Sequence, residues 1–187
     1  MSPTARFASL ASAAAALAYA SSAAAAVTVF GGGLARDCSV AVLGGEKDRR
    51  SEATCTEALE TEALSPRDRA GTYVNRGILK LRRLEFVSAQ SDFNRAVETQ
   101  PDLGEAYMNR GAALVGDRRF ADGLADLNKA IELGVEEPEK AYYNRALAFE
   151  GLDDMKAAYF DYKKALELKP DWDMPQKELA RFTVERR

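Results

Sequence analysis

Histidine is absent from the 187-residue chain, cysteine occurs twice, tryptophan once and proline six times. Without an imidazole there is no Ser-His-Asp or Cys-His nucleophile, no His-ligated zinc, no haem held by a proximal His and no histidine pH switch. A basic block is missing as well. The 26 basic and 29 acidic side chains leave a net charge of −3, which excludes a general nucleic-acid binder that neutralises phosphates with clustered Lys and Arg. What is present, 47% apolar and 29% charged residues, is the balance of a folded chain of one compact domain or a short repeat array.

Charge is scarce locally too. Arg6 is the only charged side chain before Arg36, and Phe7 to Ala35 is dominated by Ala, with Ser, Leu, Val and a Gly triplet. A positive start, an apolar run and small residues at A-x-A positions predict a secretory signal peptide. Candidate cleavage sites follow Ala18-Tyr19-Ala20 and Ala24-Ala25-Ala26, and the second is preferred, with a mature chain from Val27. The alternative is an uncleaved membrane anchor, since the uncharged span is long enough to cross a bilayer. Weakly hydrophobic Ala and the distal Gly31-Gly32-Gly33 weigh against it. Ala35-Arg36-Asp37 before Cys38 does not look like a lipid-attachment site.

In an exported chain, an even cysteine count is read first as a disulfide, here Cys38 with Cys55. Leu34 to Leu43 and Asp48 to Leu64 both read as helices joined across Gly44-Gly45, a hairpin that sets the two sulfurs side by side. The pair makes a poor zinc site without a second pair, and no C-x-x-C redox motif is present.

The rest of the chain repeats. Tyr73-Val74-Asn75-Arg76-Gly77 returns 34 residues later as Tyr107-Met108-Asn109-Arg110-Gly111, and 35 after that as Tyr142-Tyr143-Asn144-Arg145-Ala146. Ser91-Asp92-Phe93-Asn94-Arg95-Ala96, Ala125-Asp126-Leu127-Asn128-Lys129-Ala130 and Phe160-Asp161-Tyr162-Lys163-Lys164-Ala165 repeat in step. Each unit reads as helix, turn, helix, with turns near Arg82-Arg83, Gly116-Asp117 and Gly151-Leu152-Asp153.

Tyr73, Gly77, Ala89, Phe93, Ala96 and Pro101 fall at signature positions, as do Tyr107, Gly111, Gly123, Leu127 and Ala130, then Tyr142, Ala146, Ala158, Tyr162, Ala165 and Pro170. On these residues the chain resembles the tetratricopeptide-repeat family, built from 34-residue helix–turn–helix units. The resemblance implies an all-α, right-handed solenoid of three units (70–103, 104–138, 139–172). Residues 1–26 would be the signal peptide, 27–69 a stapled hairpin cap and 173–187 a capping helix, with Asp171 to Val184 read as that helix.

Arg76, Arg110 and Arg145 stand where the family usually carries leucine, and sixteen residues after each comes Asp92, Asp126 or Asp161. The expectation is an Arg–Asp bridge in every unit. The alternative is two solvated charged faces that share a period.

In this family the first helices line a concave groove for an extended peptide or partner helix. By position the groove presents Val74, Asn75 and Ile78, then Met108, Asn109 and Ala112, then Lys140, Tyr143, Asn144 and Leu147. An asparagine amide offers donor and acceptor, so the ladder at 75, 109 and 144 suits a peptide backbone. It equally suits bonds within the array. Val74 and Ile78 replace the basic and amide residues with which some members clamp a C-terminal carboxylate, and the apolar lining favours a hydrophobic segment.

No catalytic constellation emerges. Glu136, Glu137, Glu139, Asp153 and Asp154 sit at turns, Gly31-Gly32-Gly33 lacks the Lys-Ser or Lys-Thr of a phosphate loop, and Asp171 with Asp173 is no calcium site. The reading is a non-catalytic, monomeric interaction module of the cell envelope, without cofactor or metal, whose partner is an unidentified protein or peptide. The alternative is a structural or membrane-tethered assembly factor that docks through its convex face or N-terminal hairpin.

Overall fold

The structure, a computed structural model, describes residues 6–9, 23–29 and 33–185. The cleavage site after Ala20 and Gly31-Gly32 lie outside them. Among the described residues, helices α1 (Leu34–Leu43) and α2 (Arg49–Thr61) form a hairpin. Three further pairs follow: α3 (Pro66–Arg82) with α4 (Phe86–Thr99), α5 (Gly104–Gly116) with α6 (Phe120–Leu133), and α7 (Pro138–Gly151) with α8 (Met155–Leu168). Helix α9 (Asp173–Leu179) closes the stack, and strands β1 (Arg6–Ser9) and β2 (Phe182–Glu185) pair antiparallel beside it.

Local chemistry sets these boundaries. Ser65 caps α3 by accepting from the Asp68 N–H, with Pro66 in the first turn where its missing N–H costs nothing. Asp48 and Asp154 cap α2 and α8 in the same way. Each pair turns on one residue in the left-handed region: Leu84, Arg118 and Asp153, at φ of 62°, 63° and 62°. The turn is closed by bonds such as Glu85 N–H to Lys80 O and Leu84 N–H to Leu81 O, the pattern that satisfies orphan carbonyls at a helix end.

Small residues decide how closely the paired helices cross. A Cβ on Gly111 would stand 2.7 Å from Leu127 Cγ and 3.1 Å from the Gly123 carbonyl. At the stapled end Cys38 and Cys55 are bonded, with Cα atoms 4.9 Å apart. Glu62 receives the first free N–H groups of α1, Leu34 at 2.6 Å and Ala35 at 3.1 Å, standing in for a local cap. Arg82 donates to the carbonyls of Val42 and Glu46, and Arg83 to that of Lys47, which fastens the hairpin to the first repeat.

The far end differs from the expected Asp171–Val184 helix. Helix α9 stops at Leu179, and Phe182-Thr183-Val184-Glu185, rich in aromatic and β-branched residues, runs as a strand. Trp172 and Phe182 still cover the last unit, with ring centroids 5.0 Å from Tyr143 and 6.0 Å from Tyr162 respectively.

Candidate functional site

The first helices of the three pairs, α3, α5 and α7, present Asn75, Asn109 and Asn144 one unit apart on the concave face. All three are fully buried. What buries them is the chain's own segment Ala23–Val29. Asn75 Oδ1 accepts from the Val27 N–H at 3.0 Å while its Nδ2 donates to Val27 O at 2.7 Å. Asn109 treats Ala25 identically, at 3.1 and 2.8 Å. Asn144 Nδ2 donates to Ala23 O at 3.2 Å. Lys140 Nζ reaches Ala24 O at 3.0 Å, and Ser39 Oγ reaches Val27 O at 3.1 Å.

The match is one of two periods. Residues 34 or 35 apart in the array meet residues two apart in the segment, and two residues of extended chain advance about 6.6 Å. The contacted number falls from 27 to 25 to 23 as the unit rises, so the segment runs from unit three to unit one. Ala23, Ala24, Ala25, Val27 and Val29 are buried, Ala26 is half-buried and Thr28 is exposed, so inward and outward side chains alternate clearly only over Val27–Val29. A Cβ on Gly71 would lie 2.9 Å from Val27 Cγ1, so only glycine there admits this valine. This strap was not foreseen. The sequence carries only a short signal for it, the alternation Val27-Thr28-Val29 after a uniform run of Ala.

The apolar groove positions are occupied from within. Val74 and Ile78 share a buried cluster with Ala24 and Val27, and Met108, Tyr143 and Leu147 share one with Ala23 and Ala25. Ala112 is also fully buried.

A second row lies on the other side of the same helices. Arg76, Arg110 and Arg145 meet Asp92, Asp126 and Asp161 at 2.6, 2.7 and 2.6 Å. Each guanidinium also covers a tyrosine one turn earlier, Tyr73, Tyr107 or Tyr142, at 5.6, 5.3 and 5.2 Å from the ring centroid. Each reaches back to the preceding element: Arg76 to Thr56, Arg110 to Asn94 and Arg145 to Asn128. Sequence reasoning missed these backward partners, although Asn94 and Asn128 sat in register beside Phe93 and Leu127. Burial opposes the charge of Arg76, but the hydrogen bonds and charge of Asp92 outweigh it and raise its pKa. For Arg110 and Arg145 the hydrogen bonds they donate to the aspartate are the largest influence, in the same direction. These rows tie helix to helix and unit to unit. Among the described residues, no cluster of three His, Cys, Asp or Glu side chains is placed to hold a metal.

Residues 139–171, the third helical pair, match the family model of the tetratricopeptide repeat. The third pair is matched as a tetratricopeptide repeat, and the solenoid has the tetratricopeptide-repeat fold. Solved structures of such domains superpose on it. The TPR domain of Arabidopsis OM64 is 23% identical, covers 63% of this chain and 96% of its own, and has a TM-score of 0.59. The second TPR domain of human RPAP3, solved with the HSP70 peptide SGPTIEEVD, is 22% identical over 62% of this chain and 96% of that one (TM-score 0.56). MamA from Desulfovibrio magneticus RS-1 is 21% identical over 75% of both chains (TM-score 0.58). At these identities the likeness concerns the repeat fold alone. No curated protein matches the sequence.

Proposed function

We propose that the protein is a non-catalytic interaction module of the cell envelope whose concave face holds a partner's extended segment by its backbone. One observation carries the reading. The Asn75–Asn109–Asn144 row pairs with backbone amides and carbonyls of an extended segment, and such pairing recognises conformation without demanding a particular side chain. The RPAP3 domain, of the same fold, is described with a bound peptide, which supports the same use here. Export is supported by the lone Arg6 before an apolar run and by the Cys38–Cys55 disulfide.

Peptide display on immobilised protein tests it, with the strap disabled by Ala25→Pro. Enriched peptides should lose binding when Asn109→Ala is added. Enrichment indifferent to Asn109 would sink the groove. The alternative, docking through the hairpin or convex face, is favoured by two observations: the groove is filled by the chain itself, and Val40 and Leu43 on α1 stand more than half exposed. Charged substitutions at those two positions would then abolish partner capture while Asn109→Ala would spare it.

A further inference from the structure

The strap uses the three asparagines unequally. At the first two rungs one strap residue fills both ends of the amide, but at the third only Nδ2 is used. Asn144 is fully buried, and its Oδ1 has no hydrogen-bond partner among the described residues. A buried acceptor left without a donor has given up water for nothing in return. Ala23, which Asn144 contacts, lies in a turn at the start of the strap, outside the extended stretch Ala24–Val29.

We infer that Ala23–Val29 is an intramolecular stand-in that fills the groove incompletely, and that the partner is an extended segment of small and β-branched apolar residues which displaces it. This rests on the peptide reading above. The chemistry follows from the groove. The positions of Ala23 and Ala25 are 0% and 1% exposed and admit small side chains only. The next inward positions lie against Gly71 and suit a β-branched residue. The partner enters with its N-terminal side at unit three, where a segment extended beyond the Ala23 position gives Asn144 Oδ1 its N–H. It is an internal stretch, not a C-terminus. Lys140, the cation on the strap, stands at the N-terminal side and binds a backbone carbonyl, while Val74 and Ile78 at the other side offer no charge to a terminal carboxylate.

The test measures fluorescence anisotropy of a labelled free peptide with the sequence of residues 21–29, titrated with the full chain. Ala25→Pro removes the N–H that Asn109 accepts and releases the strap; Ala25→Lys, which forces a charge into a buried position, serves if the first variant fails to melt cooperatively. The released chain should bind the peptide about tenfold or more tighter than wild type, because the tethered competitor is gone. Adding Asn144→Ala to it should weaken binding severalfold, and a peptide with leucine at the Ala23 and Ala25 positions should bind about tenfold more weakly.

Equal affinity for wild type and both released chains overturns displacement while leaving the groove a peptide site. Indifference to Asn144→Ala overturns the third-rung argument. Absence of binding to every chain, all folded by circular dichroism, removes the peptide reading itself.

Discussion

Asn109 and Ala25, 84 residues apart, exchange two hydrogen bonds of 3.1 and 2.8 Å, so that one side chain serves both backbone polar groups of one residue. Truncation to Asn109→Ala strands a buried N–H and a buried C=O together. The expected cost is about 1–3 kcal/mol, read as a lowered urea midpoint with an unchanged slope. Hydrogen exchange at Ala25 and Val27 should accelerate in the same variant; unchanged protection there would mean that the amide does not hold the strap.

Arg110 joins three elements: Asp126 on its own pair's second helix, Asn94 on the preceding pair and the face of Tyr107. Replacement by leucine leaves the Asp126 carboxylate, 14% exposed, without its cation. A loss of about 1–3 kcal/mol is expected, below the figure for a fully buried pair because water reaches this one. Stability unchanged or raised in Arg110→Leu would show that the row is a solvated decoration. Asp92 holds both Arg76 and Lys80 and is only 4% exposed, so Asp92→Ala should cost more than Asp126→Ala.

The Cys38–Cys55 bond joins residues 17 apart. Closing such a loop contributes about 3 kcal/mol in the chain-entropy account. Reduction, or the double change to serine, should lower the calorimetric Tm by about 6–12 °C in a chain of this size. A shift of a degree or less would place the hairpin's stability in its packing and in the grip of Arg82 and Arg83.

Burial pushes the Glu178 carboxyl above its ordinary 4.5, with Arg181 pulling against it and Glu150 pushing the same way. The native state therefore keeps this proton to higher pH than the unfolded chain does, and stability falls as pH rises through the window just above 4.5. Glu178→Gln, which does not titrate, should lack that fall in a series of urea midpoints. The lowered carboxyls of Asp48, Glu85 and Asp173 act with opposite sign and below this window, so they do not mask it.

Cleavage after Ala26 would remove the residues that face Asn109 and Asn144, whereas cleavage after Ala20 keeps them. The strap moves the expected start from Val27, preferred on the sequence, to Ser21: the intact mass of the native protein should begin there, with both sulfurs oxidised. A chain beginning at Val27 would show that the working groove is open at two rungs. Intact Met1 with free thiols would remove the export reading.

The repeat spacing made the helical pairs, the turns and the asparagine row legible, because positions that serve one contact recur every 34 or 35 residues. The strap was not legible because its residues belong to no repeat. A run of Ala suits an apolar leader, a helix or an extended ribbon alike, and only the array's amides select among them. The far end was misjudged for a related reason. Leu179 and Phe182 are spaced for one helical face, yet Thr183 and Val184 favour the strand that pairs Phe182–Glu185 with Arg6–Ser9.

A stack of helical pairs touching only its neighbours unravels piecemeal from its ends, each unit at its own free energy. The strap changes that arithmetic, because its bonds reach residues 48, 84 and 121 positions away and make the three units share one set of contacts. Fraying of the third unit costs the first two their partner as well. Melting with the strap seated is then a single cooperative event, and with the strap released it breaks into steps. An interaction that empties the groove thus also loosens the array's hold on itself.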